Sequence, residues 1–421
     1  MRNPALVLLG AAIGVAMALA VAEPQIIVTN ADAGPSPTAK KHQLLGLFVS
    51  ALDKVRFHYV EKPDDAKLIH SAIDGMLSSL EASNFIDAKS ALLEACTGPA
   101  CALRSGVGLD LTMVDGLIEV VSPFDDSPAA KAGIMSRDII AEIDDQPLEN
   151  LPPSEVYSKL KGERGQEIRL KIIRPGREKP INVALARDII PTQSVRGRIE
   201  GGDIGFVRIS QFNDGTPREL DQAVNDISAK ITSEQLKGFV LDLRNTPSGL
   251  LDPAVAVADA FLDSGEIVSI HGRKTSVNEH FVAKPGDLAN GKPIILLINA
   301  GSASAAEIVA GALKDNHRAT LVGSRSFGSG AVHTMFPIGT GVGALNLTTG
   351  HYVTPSGRVI TGNGILPDVE VLQDMPEALT ADIKPKEAGS AVFQSYIPPD
   401  PKADKALALA FDMLRTPPTV H

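Results

Sequence analysis

Residues Asn299–Asn316 read NAGSASAAEIVAGALKDN, directly after the apolar run PIILLI of residues 293–298. A short Ile/Leu run bounded by small residues is the pattern of a buried strand, and the Ala-rich stretch beyond it has helical spacing. The segment is therefore expected to be strand, tight turn and helix, with the helix starting near Ser304. Similar apolar runs flank it: IGFVRIS (204–210), GFVLDLR (238–244) and ATLVG (319–323). Helical stretches lie between them, PRELDQAVNDISAKI (217–231) and LLDPAVAVADAFLDS (250–264). Alternating strands and helices of this length predict a mixed sheet with helices packed on it.

Ser304 admits two readings. A serine that opens a helix is an N-cap, its oxygen satisfying a free backbone N–H. It is also placed as a nucleophile would be, because a strand–turn–helix exposes the hydroxyl and aims helix N–H groups at a developing oxyanion. Small neighbours, Ser302, Ala303, Ala305 and Ala306, leave room for a substrate backbone. Two further segments share this character: LDLRNTPSGLLD (241–252), a strand entering a Pro/Gly turn, and the Gly/Ser-rich GSRSFGSGAVH (323–333). Glu307 and Asp315 on the Ser304 helix are candidates to position that helix or bind its neighbours, but are assigned capping or solvated roles. GTGVGAL (339–345) lacks the Lys-Ser/Thr of a phosphate loop and reads as a hairpin connection.

Composition narrows the partners. The formal net charge is −10 over 421 residues, with no Trp and few aromatics, so neither nucleic acid nor a base- or sugar-stacking platform is expected. Residues Pro4–Ala22 form an uncharged apolar run after one Arg, and Ala20-Val21-Ala22 fits a signal-peptidase site. Residues 1–22 are thus a signal peptide or an N-terminal anchor. The body of the chain is exported, periplasmic or held at the membrane facing that compartment. The two cysteines, Cys96 and Cys101 in ACTGPAC, are spaced for a small disulfide loop in an oxidising compartment. The histidines show no metal-ligand spacing, so neither a metal nor a cofactor is expected.

The chain divides by pattern into five parts. After the leader, residues 23–104 form a helical segment with apolar stripes at Leu44, Leu47, Phe48, Ala51, Leu52 and Val55, then at Leu68, Ile69, Ala72, Ile73, Met76, Leu77 and Leu80. A packing or dimerising role is expected there. Residues 105–188 switch to short strands with turns and two short helices, a small β-barrel by spacing. Residues 189–375 are the mixed α/β part, and 376–421 end in the amphipathic helix KADKALALAFDMLR. The fold class is α+β and multidomain.

The succession GVGLDL (106–111), SPAAKAGI (127–134) and DIIAEIDDQPL (138–148) resembles a PDZ domain. The resemblance puts Gly106, Val107, Gly108 and Leu109 in the loop that holds a peptide's C-terminal carboxylate on backbone N–H groups, while the peptide extends the sheet edge. Taken alone, the GxG is equally an ordinary tight turn.

With a PDZ domain ahead of the segments around Arg244, Ser304 and Ser329, nearly the whole mature chain resembles the carboxyl-terminal processing, or tail-specific, proteases. That resemblance implies a serine endopeptidase acting on polypeptides with exposed C-termini. The nucleophile of its GSASASE-like motif falls on Ser304. The oxyanion donors fall on Ala305 and on the LRNTPSG turn, at Ser248 or Gly249. The family's lysine base falls on Ser329 and its orienting glutamine on His333. A serine is no base at neutral pH, and an arginine such as Arg325 stays protonated. Lys314 is placed on a solvated helix face. Three readings follow: a peptidase working through a Ser304–Ser329–His333 relay, a catalytically impaired pseudoprotease that binds tails, and a PDZ-based adaptor. Terminal helices that build a homo-oligomer and membrane proximity through the N-terminus complete the expectations.

Overall fold

The computed structural model describes residues 37–80, 83–87, 105–376 and 393–416, apart from 115, 150, 152, 191–192, 275–276 and 340–341. The leader and both cysteines lie outside the described residues. The chain divides into two units with the boundary after His70. In the first, helix α1 (Pro37–His58) exposes Leu44, Leu47, Phe48 and Val55, the stripe expected to pack. Helix α2 (Asp65–Leu77) crosses the boundary and buries Leu77. Among the described residues no helix is long and apolar enough to cross a membrane.

The second unit begins with strand β1 (Asn84–Asp87). The PDZ part follows: β2 (Leu109–Val114), β3 (Leu117–Pro123), α3 (Pro128–Lys131), β4 (Ile139–Ile143), α4 (Pro153–Leu160), β5 (Glu167–Ile173) and β6 (Ile181–Ala186). Its strands lie in that order in one antiparallel sheet, with β2 at the edge. Ile118, Val120, Ile140, Val156, Ile168, Leu170 and Ile172 fill its core. Gly106 and Ser105 pair with Asp188 and Ile189, closing the ends of the domain on each other.

The α/β part comprises β7 (Val195–Glu200), β8 (Ile204–Ile209), α5 (Thr216–Ser228), β9 (Gly238–Asp242), α6 (Leu251–Asp259), β10 (Glu266–Gly272), β11 (Glu279–Val282) and β12 (Ile294–Ile298). It continues with α7 (Ala305–Asp315), β13 (Ala319–Gly323), β14 (Ala331–Ile338), β15 (Gly343–Val353), β16 (Val369–Glu370) and α8 (Lys405–Arg415). The central sheet runs β7-β8-β9-β12-β13-β16, parallel except for the β7–β8 pair. Every residue of β9 and β12 is buried. Alternate side chains serve opposite faces, as a period of two requires. Phe239, Leu241, Leu296 and Ile298 join the core containing α5, α6 and α7; Val240, Ile295 and Leu297 meet Leu407, Ala410 and Leu414 of α8. A second sheet, β1-β15-β10-β11 with β14 against β15, was not read from the sequence. The expected hairpin at 339–345 joins β14 and β15.

Candidate active site

Ser304 stands between β12 and α7 at φ 51°, ψ −110°. A non-glycine residue there stores strain on the order of 1–3 kcal/mol, which only an over-determined surrounding maintains. That surrounding can be named. The Ala303 N–H donates to the Thr246 carbonyl (2.9 Å) and Ser302 Oγ to the Leu243 carbonyl (2.8 Å). Asn299 Oδ1 accepts from the N–H groups of Asn245 (2.8 Å) and Gly301 (3.0 Å), while its Nδ2 donates to Asn245 Oδ1 (2.9 Å). Asn245 itself is at φ 51°. A Cβ at Gly301 would lie 2.3 Å from Asn245 Oδ1, so a side chain there would push the two turns apart.

The turn expected to carry oxyanion donors is thereby tied to the Ser304 turn. Thr246 Oγ1 donates to the Ile209 carbonyl (2.6 Å), anchoring it to the sheet. Gly249 lies against Phe212, whose Cβ would be 2.3 Å from a Cβ at Gly249. Ala305, the first residue of α7, is fully buried.

Glu307 is the site residue that the sequence reading under-rated. Its carboxylate is wholly buried and takes four donors. Oε2 accepts from the N–H groups of Ser304 (2.9 Å) and Ser329 (2.8 Å). Oε1 accepts from Ser326 Oγ (2.5 Å) and the Gly328 N–H (2.7 Å). One carboxylate oxygen thus holds Ser304 and Ser329 within two hydrogen-bond lengths. Burial pushes the Glu307 carboxyl up to about 6, against the four hydrogen bonds that favour its charged form. The S-x-x-E spacing of a capping box was the signal that could have found it. The Phe327 N–H donates to the Ser302 carbonyl (2.9 Å), a second tie between the loop and the Ser304 turn.

The bonds joining Ser304 to Ser329 do not include His333. It is an exposed residue of β14, opposite Thr348 and just past a register shift. Lys314, expected on a solvated face, is half-buried instead. Its Nζ pairs with Asp368 (2.8 Å) and donates to the Leu366 carbonyl (2.7 Å). Ten residues along α7 from Ser304, it is about 15 Å away.

The PDZ part reaches the site directly. Arg137 donates to the Phe327 carbonyl (2.6 Å), stacks 3.7 Å from the Phe327 ring centroid and pairs with Glu119 (2.9 Å). Ser136 Oγ donates to the Ala300 carbonyl (3.0 Å), and Arg208 of β8 forks onto Asp125. The Ser248 side chain lies beside Asp110 and favours its charged form against the burial that raises it. No motif in the sequence marks these residues. In the expected carboxylate loop, the Val107 carbonyl accepts from Ala129 N–H. The Gly108 carbonyl, at φ +76°, accepts from Phe124 N–H and Ser127 Oγ. A Cβ at Gly108 would come 2.3 Å from the Ser127 Cβ, and Val107 and Leu109 are buried.

Comparison with known proteins gives this geometry a lineage. Residues 203–371 match the model of peptidase family S41 and residues 105–185 that of the PDZ domain. A carboxy-terminal-processing protease of Bartonella bacilliformis is 46% identical over 394 residues, covering 89% of each chain. The carboxy-terminal processing protease CtpA of Bacillus subtilis is 32% identical over 322 residues, 76% of this chain and 67% of that one. Among solved structures, a photosystem II D1 C-terminal processing protease superposes with a TM-score of 0.65 at 26% identity, covering 76% of this chain and 86% of the other.

Proposed function

The chain belongs to peptidase family S41, the carboxy-terminal processing proteases, and we propose that it hydrolyses exported polypeptides selected by their C-terminal tails. The observation that carries this reading is Ser304, held at φ 51° at the head of α7 and clamped by Glu307 to the loop of Ser329. Ser304 Oγ attacks the scissile carbonyl carbon. The oxyanion forms against the N–H of Ala305 and one from Ser248 or Gly249. The hydroxyl proton passes to Ser329 Oγ as that group releases its own to the His333 imidazole, which then protonates the leaving amine. Water, activated along the same chain, hydrolyses the acyl-enzyme. The tail is held by the Gly106–Leu109 loop and the edge of β2. The apolar run 4–22 supports export, to the periplasm or to a membrane anchor facing it. The exposed stripe of α1 supports assembly into a homo-oligomer.

A second reading is favoured by one observation: serine occupies the lysine position at 329. In that reading the groove binds tails and turnover is negligible, leaving a pseudoprotease or an adaptor. A fluorophosphonate probe and an unstructured peptide substrate distinguish them. The relay predicts labelling and cleavage that vanish in Ser304→Ala and fall at least tenfold in His333→Ala. Turnover that survives His333→Ala excludes the relay. Tail binding with neither labelling nor cleavage establishes the second reading.

A further inference from the structure

Among the described residues strand β2 is an edge of the PDZ sheet, and on it an added peptide would pair. Leu111 is one of the residues whose backbone faces that edge. Its partner on β3 is Val120, and Val120 spends both its backbone groups on the far side. The Val120 N–H donates to the Asp138 carbonyl (2.7 Å), and its carbonyl accepts from Arg137 N–H (2.8 Å). In an antiparallel ladder the residue opposite such a neighbour points its own N–H and C=O outward.

Those outward groups are already taken. The Leu111 N–H donates to the Tyr157 hydroxyl (2.9 Å), which lies 3.1 Å from the Leu111 carbonyl oxygen and 3.1 Å from Asp110 Oδ1. A phenol accepts at its lone pairs and donates one proton, so a single hydroxyl satisfies the N–H and shares its proton between the two oxygens. Tyr157 belongs to α4, the helix facing β2, and spans the space where a strand would add. Resting on the tail-binding reading above, we propose that the Tyr157 hydroxyl is a built-in competitor of the peptide tail, and so sets which tails enter the groove. A tail must return to Leu111 both hydrogen bonds that Tyr157 now makes. A weakly pairing tail cannot evict it.

The consequence reaches the active site through Asp110. This carboxylate accepts from the Tyr157 hydroxyl and lies beside the Ser248 side chain of the expected oxyanion turn. Eviction of Tyr157 leaves Asp110 short of one donor beside that turn.

The test uses the full chain in a Ser304→Ala background, with a fluorescein-labelled unstructured peptide bearing a free C-terminal carboxylate and an amidated twin. Tyr157→Phe keeps the ring and deletes the competing hydroxyl. It should bind the carboxylate peptide about tenfold more tightly, the value of roughly one net hydrogen bond, with the amidated twin remaining the weaker ligand of both proteins. Equal or weaker binding by Tyr157→Phe, while the parent binds, overturns the competitor and leaves tail recognition intact. Binding by neither protein removes tail recognition and the competitor together. Amide hydrogen exchange gives a readout free of any peptide: Leu111 should be protected in the parent and exchange faster in Tyr157→Phe. Equal exchange overturns the proposal.

Discussion

At the residue scale the site turns on Glu307. A carboxylate that accepts from Ser304, Ser326, Gly328 and Ser329 must be charged to hold all four, and burial makes that charge costly. Its carboxyl is pushed from 4.5 to about 6, so the native state binds the proton more tightly than the unfolded chain. The sign follows. The stability contributed by this proton is fully present below the unfolded value of 4.5 and is lost as pH rises through about 6. The loss amounts to about 2 kcal/mol at roughly 1.4 kcal/mol per unit. Urea unfolding across this window should show the slope, and Glu307→Gln should flatten it. Activity moves the opposite way, since a protonated carboxyl points an O–H at a group that was donating to it. Probe labelling of Ser304 should therefore weaken below about pH 6 and keep that acid limb in His333→Ala. Loss of the limb in His333→Ala would assign it to the histidine instead.

At the element scale the proposed nucleophile and the proposed oxyanion turn are two loops at the ends of adjacent parallel strands, β9 and β12, held by Asn245–Asn299 and Thr246–Ala303. Gly249→Ala would place a methyl 2.3 Å from the Phe212 Cβ, so the turn must shift. Labelling of Ser304 should fall at least tenfold while the melting temperature drops by only a few degrees, the split expected when about 1–3 kcal/mol of strain is confined to one loop. Unchanged labelling would remove this turn from the site. These elements were legible because β12 is an unbroken apolar run, β9 is apolar up to Asp242, and Ser304 follows β12 after a short turn of small residues. The β1–β15 pair was not. It joins Asn84–Asp87 to residues more than 250 positions later, and a local pattern carries no trace of such a partner. Arg137 was illegible for the same reason, since its contact with Phe327 crosses 190 residues of chain.

At the scale of the whole molecule, the C-terminal segment supports the site from behind. Arg244, one residue before Asn245, is buried and pairs with Asp242 (2.7 Å) and with Asp404 (2.8 Å), the N-cap of α8. The Ser395 carbonyl accepts from Asn299 Nδ2 (3.1 Å). Asp404→Ala removes a helix cap and strips one partner from a buried guanidinium, a loss of about 3–5 kcal/mol in urea unfolding. A loss below about 1 kcal/mol would mean that Asp242 alone suffices for Arg244. The PDZ part braces the same turns through Arg137, Ser136 and Asp110, so both flanking segments converge on the turns around Ser304.

Whether this convergence supports hydrolysis is decided most directly by mass spectrometry of an unstructured, free-carboxylate polypeptide incubated with the purified full chain and with Ser304→Ala. Internal cleavage by the parent and none by Ser304→Ala is the predicted result. An intact polypeptide in both, with the tail still bound, would contradict it and leave a tail-binding protein built on a peptidase fold.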